Sequence, residues 1–301
     1  MIGFESIEST LYSSYNSNKL HHAILLHGKK GIGKASFALN FANKITNISS
    51  GTNPNIFLIS KEEDKKEISV NQIRKIPDFL NQTSANAKDK FIIIDSACEL
   101  NKSSSNALLK TLEEPHPNNF LILVTHNINL VLPTIKSRCY IIKAPNISYD
   151  NFIKILQEKN PRLPELELKF LSEICDNSPA LAIQFETELP RFYELFLRSV
   201  VNKKLSEELL KKVSDKNFPF LVFEKVFEFF IYRAFKFLQK SQMDFFFEEE
   251  SVFLNFIRKF SADEIFLIGD ECLNMLRKTT QLHLDKKLTL INIFNRITYK
   301  Q

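Results

Sequence analysis

Three glycines and a lysine lie close together near the amino terminus, where they could hold a phosphate. The chain of 301 residues contains six glycines, and Gly28, Gly31 and Gly33 fall within six consecutive positions. Glycine permits tight turns and close backbone approaches that other residues resist. Lys34 follows directly, which gives the spacing of a P-loop, where backbone N–H groups surround phosphates and the lysine reaches the β- and γ-phosphates. A glycine-rich turn without a ligand is the alternative interpretation.

The loop lacks the hydroxyl group that normally completes this motif. Ser or Thr is expected directly after the lysine, because its hydroxyl binds Mg²⁺. Here that position holds Ala35, and Ser36 lies one place later, about 100° around a helix. The sequence therefore predicts P-loop geometry but not a competent site for a Mg²⁺-nucleotide.

The stretches around the glycines predict the elements that position them. Residues 22–27 form a short apolar run, which indicates a buried strand, and residues 37–42 have helical spacing. Strand, loop and helix in this order are what a P-loop requires. Two later apolar runs, residues 90–94 and 120–124, indicate further buried strands. Alternating strands and helices predict an α/β domain with a parallel sheet.

Polar residues follow both later strands. Asp95 is placed where P-loop nucleotide hydrolases carry the carboxylate that holds Mg²⁺, and it would serve equally well as a helix N-cap. The next residue is Ser96, whose hydroxyl cannot act as a general base at neutral pH. Thr125 ends the other strand.

The composition excludes several classes of protein. With 44% hydrophobic and 25% charged residues, the chain is neither disordered, collagen-like nor a disulfide scaffold. Its net charge of +5 permits an acidic partner such as nucleic acid but does not require one. We expect no membrane span, no cleaved signal peptide and a cytoplasmic location. We also expect reduced thiols and no zinc site, because no C-x-x-C pair occurs among Cys98, Cys139, Cys175 and Cys272.

Seven short segments follow one another in order over roughly the first 140 residues. They are IGFE, LHHAILLHGKKGIGK, ISVNQIRKI, IIID, NALLKTLEEP, the strand end at Thr125, and LPTIKSRC. Together they resemble the bacterial DNA polymerase III clamp-loader subunits of the AAA+ superfamily. The most specific part of this resemblance is NALLKTLEEP followed shortly by LPTIKSRC.

The resemblance implies three domains. Residues 1–145 would be the AAA+ P-loop core, residues 146–190 a small helical lid, and residues 191–301 an all-α collar that joins subunits into a ring. The residues themselves favour helices in the last two segments, and Ser148 is expected to cap the first of these helices. A helical core is the simplest interpretation of the phenylalanines at or near three-and-four spacing: Phe220, Phe223, Phe227, Phe230 and Phe235.

Departures from the family pattern favour its delta-prime branch over the ATP-hydrolysing gamma/tau branch. Ala35 replaces the magnesium hydroxyl, Ser96 replaces the catalytic glutamate, and Ala180 stands where the family's lid carries an arginine. The family's zinc module is also absent. The resemblance then implies a degenerate nucleotide site that requires no cofactor, although ATP or ADP bound weakly without hydrolysis is compatible with it. The residues of this site are Gly28, Gly31, Gly33, Lys34, Asp95 and Thr125.

Arg138 is the catalytic residue that the resemblance implies. It lies in an intact Ser-Arg-Cys turn, which in the family supplies an arginine to a nucleotide on the neighbouring subunit. Such arginine fingers stabilise transition-state charge and contribute a factor of about 10³–10⁵ in GTPase systems. A surface salt bridge is the alternative role for Arg138.

The resemblance also implies partners, namely gamma/tau-type and delta subunits, the sliding clamp, and primed DNA within the complex. Residues 102–105, a lysine and three serines before the helix expected from Asn106, could contact a DNA phosphate or act as ordinary helix caps. Two other functions remain open. One is an active gamma-type ATPase, and the other is a divergent P-loop protein with a structural nucleotide.

Overall fold

The chain is organised as two compact units. The computed structural model describes residues 1–47, 53–62, 65–82, 89–215 and 217–299. Unit 1 comprises Met1–Ile155 and Ser178–Ala180, and unit 2 comprises Leu156–Asn177 and Leu181–Gln301. The division into three domains at residues 145 and 190 stays a prediction.

Unit 1 is built around a parallel sheet of five strands. The strands are β1 (Ala23–His27), β2 (Ile56–Ser60), β3 (Lys90–Asp95), β4 (Asn119–Thr125) and β5 (Tyr140–Lys143). Their order across the sheet is β2-β3-β4-β1-β5, and every neighbouring pair is parallel. The apolar runs of β1, β3 and β4 are buried, as expected for strands covered on both faces. The predicted α/β fold with a parallel sheet is confirmed.

Helices flank this sheet in the alternating order that the sequence predicts. The helices that begin in unit 1 are α1 (Glu5–Asn16), α2 (Lys34–Ile45), α3 (Val70–Ile73), α4 (Lys75–Asn81), α5 (Lys102–Glu113), α6 (Pro133–Lys136) and α7 (Tyr149–Lys159), and a further one, α9 (Pro179–Gln184), also begins there. The backbone N–H of Asn151 donates to Ser148 Oγ at 3.3 Å, which confirms Ser148 as the cap of α7.

Unit 2 is helical. Besides the later parts of α7 and α9, its helices are α8 (Glu165–Ile174), α10 (Glu188–Asn202), α11 (Glu207–Ser214), α12 (Phe220–Leu238), α13 (Glu249–Lys259), α14 (Ala262–Leu282) and α15 (Lys286–Thr298). Of the five phenylalanines expected in its core, all but Phe235 are buried, and Phe235 is half-buried. No helix within the described ranges is both long and apolar enough to cross a membrane.

A buried ionic cluster holds four helices of unit 2 together. Arg233 on α12 is 0% exposed, and its Nη2 lies 2.6 Å from Oε2 of Glu249, which begins α13. Its Nη1 lies 2.7 Å from Oε2 of Glu173 on α8. Tyr193 on α10 donates its hydroxyl to Glu249, and the ring of Phe246 lies 4.4 Å from the guanidinium carbon. Two carboxylates and an aromatic face therefore surround the buried cation.

Candidate nucleotide site and interface arginine

The glycine loop joins β1 to α2, which confirms the predicted order of strand, loop and helix. Gly31 and Gly33 have φ angles of +78° and +91°, in the left-handed region that favours glycine. A Cβ atom at Gly31 would lie 2.1 Å from Oγ of Ser178. The loop therefore needs glycine at residue 31 for two reasons, the backbone angle and the close neighbour.

The lysine of this loop is turned toward the loop itself. Lys34 is 5% exposed, and its Nζ donates to the carbonyl oxygens of Gly28, at 2.8 Å, and Lys29. Burial lowers the pKa of Lys34 to about 8, and the nearby charge of Asp95 only partly opposes this shift. The Nζ of Lys34 thus donates to carbonyl oxygens of its own loop, whereas a P-loop lysine normally donates to phosphate oxygens.

A second segment, Ser178–Ala180, packs against the glycine loop. Ser178 donates its hydroxyl to the carbonyl of Lys30 at 3.1 Å, and the backbone N–H of Ala180 donates to the carbonyl of Gly31 at 3.1 Å. The segment Ser178–Ala180 therefore contacts the P-loop through the hydroxyl of Ser178 and the backbone of Ala180.

The polar residues at the strand ends lie at the same edge of the sheet. Asp95 is not a helix cap, since the short 3₁₀ helix Ala97–Glu99 begins only after Ser96. Burial raises the pKa of Asp95, against the attraction of Lys34. Thr125 is 0% exposed, and its hydroxyl donates to the carbonyl of Asn127 at 3.1 Å. The structure thus places Lys34 near Asp95. The Thr125 hydroxyl is hydrogen-bonded within the turn after β4.

This set of side chains does not fit a Mg²⁺-nucleotide. Position 35 is an alanine, so the side-chain hydroxyl that would bind Mg²⁺ beside the P-loop lysine is missing. Within the part of the chain that the structure describes, no group of three or more His, Cys, Asp or Glu residues could hold a metal ion. Whether the loop binds a nucleotide stays a prediction.

Arg138 follows α6 at the surface. Its Nη1 donates to the carbonyl of Thr134 at 2.9 Å, and its Nη2 lies 2.7 Å from Oε1 of Glu113, the last residue of α5. The side chain of Arg138 is 37% exposed and that of Glu113 is 49% exposed. The surface salt bridge considered from the sequence is therefore present, and it leaves the guanidinium accessible.

The amino terminus of α5 differs from the prediction. The helix begins at Lys102, four residues before Asn106, and its cap is Asn101, whose Oδ1 accepts from the backbone N–H of Ser104 at 2.9 Å. The expectation that residues 102–105 cap this helix is wrong, because they lie inside its first turn. A DNA contact of the exposed Lys102 stays a prediction.

One group of polar side chains escaped the sequence analysis. Cys98 was expected only to be a reduced thiol. Its Sγ lies 3.2 Å from Oγ of Ser96 and 3.4 Å from Nδ1 of His126. The available signal was that these residues follow two strands whose carboxyl ends meet at one edge of a parallel sheet.

Comparisons with known proteins agree on a family. The family model described as "DNA polymerase III, delta subunit" matches residues 4–148. The delta-prime subunit of Pseudomonas aeruginosa is 29% identical over 220 residues, covering 67% of this chain and 67% of that protein. The gamma subunit of Buchnera aphidicola from Schizaphis graminum is 33% identical over 196 residues, covering 59% of this chain and 54% of that protein.

A solved structure supports the fold alone. The crystal structure of a gamma subunit-related protein from Thermotoga maritima has a TM-score of 0.52 and 22% identity, covering 98% of both chains. The matches span 67% of the length of the Pseudomonas delta-prime subunit, 54% of the Buchnera gamma subunit and 55% of the Bacillus subtilis delta-prime subunit. Its ordered motifs, its P-loop sheet and these matches lead to one conclusion: the chain is similar to the bacterial DNA polymerase III clamp-loader subunits, and the matches support a subunit of the delta-prime type.

Proposed function

We propose that this chain is a non-hydrolysing subunit of the DNA polymerase III clamp loader. In the cytoplasm it would assemble with gamma/tau-type and delta subunits and help to load the sliding clamp on primed DNA during chromosomal replication. Its own nucleotide site would be silent, and Arg138 would act on a nucleotide held by a neighbouring ATPase subunit.

The observation that carries the silent site is the internal pairing of Lys34. Hydrolysis of a nucleotide needs a bound metal, an oriented water and a positive charge on the transferred phosphoryl group. Lys34 donates to its own loop, Ala35 offers no hydroxyl to a metal, and the hydroxyl of Ser96 donates to the carbonyl of Val124 at 3.1 Å. The metal and the water therefore lack their usual side chains, and the lysine that would supply the positive charge donates to its own loop.

The surroundings of Arg138 support a role in trans. Its guanidinium is always charged and can meet two phosphate oxygens at once. The pair with Glu113 is exposed, so it contributes only about 0–1 kcal/mol. Exchanging this carboxylate for the phosphates of another chain would therefore cost little.

A reconstituted loader tests the proposal. With gamma-type and delta subunits present, Arg138→Ala should slow ATP hydrolysis by at least about tenfold, since a finger contributes far more in comparable systems. Arg138→Lys should recover part of the rate. Lys136→Ala removes a positive charge from the same turn and should leave the rate near that of the wild-type complex.

Two further measurements separate the parts of the proposal. Size-exclusion chromatography should show that the Arg138→Ala complex assembles normally, and wild-type turnover by such a complex would refute the finger. The isolated chain should hydrolyse no ATP above background. Hydrolysis that Lys34→Ala abolishes would instead identify an active gamma-type ATPase.

A further inference from the structure

A cavity of about 380 Å³ lies within unit 2, where three helices approach one another. Its apolar lining comes from α10, α13 and α15, and the residues are Val200, Val201, Val252, Phe256 and Ile297. This volume falls in the range of pockets that hold small organic ligands, which are lined mostly by apolar side chains with a few polar groups. The cavity therefore has room for a small apolar body.

Two hydrogen bonds link the carboxyl ends of these helices beside the cavity. The hydroxyl of Tyr299, which follows α15, donates to the carbonyl of Lys203, which follows α10, at 2.9 Å. The Nζ of Lys259, at the end of α13, donates to the carbonyl of Thr298, at the end of α15, at 2.8 Å. The wall of the cavity is thus held in place by contacts within unit 2.

Positive charge is concentrated at this cavity. Lys203, Arg258 and Lys259 line it, and none of the described residues that line it is acidic. A helix carboxyl end carries about −0.5 charge, so three such ends offset only about half of three cations. Lys203 and Arg258 are exposed and form no salt bridge within the described ranges. Their charges are therefore available to an anion.

One polar atom in the cavity wall has no partner. Thr298 is 1% exposed, and its Oγ1 forms no hydrogen bond with any described residue. Buried hydroxyl groups normally have a hydrogen-bond partner. A threonine in a helix has two common side-chain rotamers, so a rotation about one bond can turn this hydroxyl toward a polar group bound in the cavity.

We propose that this cavity binds a small organic anion. The apolar body of the ligand lies against the apolar lining from α10, α13 and α15, and its carboxylate or phosphate group meets Lys203 and Arg258. A guanidinium can donate to two oxygens of such a group at once. The hydroxyl of Thr298 donates to the same ligand. The P-loop and Arg138 belong to unit 1, so this site is separate from the nucleotide chemistry proposed above.

Fluorine NMR of the isolated full-length chain tests this site with fluorophenylbutyrate as the probe. The probe should bind saturably. Fluorophenylbutyramide has the same apolar body without the charge and should bind at least about tenfold more weakly, since the charge-assisted hydrogen bonds are lost. Raising the salt concentration from about 0.05 M to about 0.5 M should weaken binding of the carboxylate and leave that of the amide unchanged. Equal affinities, or no saturable binding of the carboxylate, would overturn the proposal.

Variants of the two exposed cations locate the anion. Lys203→Gln combined with Arg258→Gln should weaken binding of fluorophenylbutyrate by at least about tenfold. Arg277→Gln replaces an exposed arginine of α14 that does not line the cavity, and it should retain the wild-type affinity. Circular dichroism checks that each variant is folded. A folded double variant with wild-type affinity would show that the anion binds elsewhere, and the proposal would fail.

A third variant tests the buried hydroxyl. Thr298→Val keeps the shape of the side chain and should weaken binding of fluorophenylbutyrate several-fold. It should not lower stability to urea, because the hydroxyl has no hydrogen bond to lose in the free chain. Wild-type affinity in this variant would contradict the role given to the Thr298 hydroxyl.

Discussion

Lys34 in unit 1 and Arg233 in unit 2 are both cations removed from solvent, at 5% and 0% exposure, but their partners differ in charge. The Nζ of Lys34 donates to neutral carbonyl oxygens. The guanidinium of Arg233 meets the carboxylates of Glu249 and Glu173. The two side chains are thus similarly buried, but only Arg233 is paired with negatively charged groups.

The pKa values of the two cations follow their partners. Burial lowers the pKa of Lys34 to about 8. Burial would also lower the pKa of Arg233, but hydrogen bonds and charge from Glu249, with further attraction from Glu173, outweigh it and raise the pKa. A buried cation therefore destabilises the fold when only neutral groups surround it and stabilises the fold when carboxylates are buried with it. The extent of burial alone does not decide between these effects.

The largest loss of stability is expected when the buried ion pair of Arg233 and Glu249 is broken. Arg233→Met leaves Glu249 buried without its cation, which should destabilise unit 2 by roughly 3–5 kcal/mol. Urea unfolding followed by circular dichroism measures this loss. Arg191→Met removes the guanidinium from an exposed pair with Glu208, 2.5 Å apart, and should cost about 1 kcal/mol or less. If both variants cost the same, the buried cluster is no stronger than a surface pair.

A smaller loss of stability is expected from a substitution in the P-loop at Gly31, where Ser178 packs against the backbone. Gly31→Ala forces a side chain into a left-handed conformation and against Ser178, so it should cost roughly 2–4 kcal/mol in the same assay. Gly28→Ala is the milder control, because Gly28 has no positive φ and its nearest neighbour would be 3.0 Å away. Adding Ser178→Gly to Gly31→Ala should recover the steric part only. A Gly31→Ala chain as stable as the wild type would show that the loop is not held closed.

The smallest effect is a dependence of stability on pH. The pKa of Lys34 falls from 10.5 to about 8 on folding, so between these values the unfolded chain binds more protons and stability rises with pH. Relative to Lys34→Met, the wild-type chain should gain roughly 2 kcal/mol between pH 7.5 and pH 10. Urea unfolding of both chains across this range measures the difference. Parallel curves would show that Lys34 is not strained by burial.

Local patterns were sufficient to predict three strands of unit 1, namely β1, β3 and β4, whereas β2 and β5 were not predicted. The apolar run expected at residues 22–27 is the strand Ala23–His27, and the run that ends at Asp95 is β3. Continuous apolar stretches bounded by polar residues carry this information, because strands covered on both faces must be apolar throughout. The start of α5 was misplaced, since Asn101 caps it through a side chain that the helical spacing of the leucines does not reveal.

Contacts between distant parts of the chain could not be predicted. The sequence shows Arg233 only as a charge within a phenylalanine-rich helix, and nothing local indicates that Glu249 and Glu173 will meet it. The same holds for Ser178 over Gly31. Such pairs depend on how helices and loops pack, and propensity and periodicity carry no information on packing partners.

The position of β1 in the sheet has a consequence for synthesis of the protein. This apolar strand lies between β4 and β5, and both are made after it, β4 beginning only at Asn119. At about 5–20 residues per second, the nascent chain carries β1 without a hydrogen-bonding partner for roughly 5–20 s. An unpaired apolar strand is prone to aggregate during such an interval, so the amino-terminal segment is most exposed to aggregation before β4 is made.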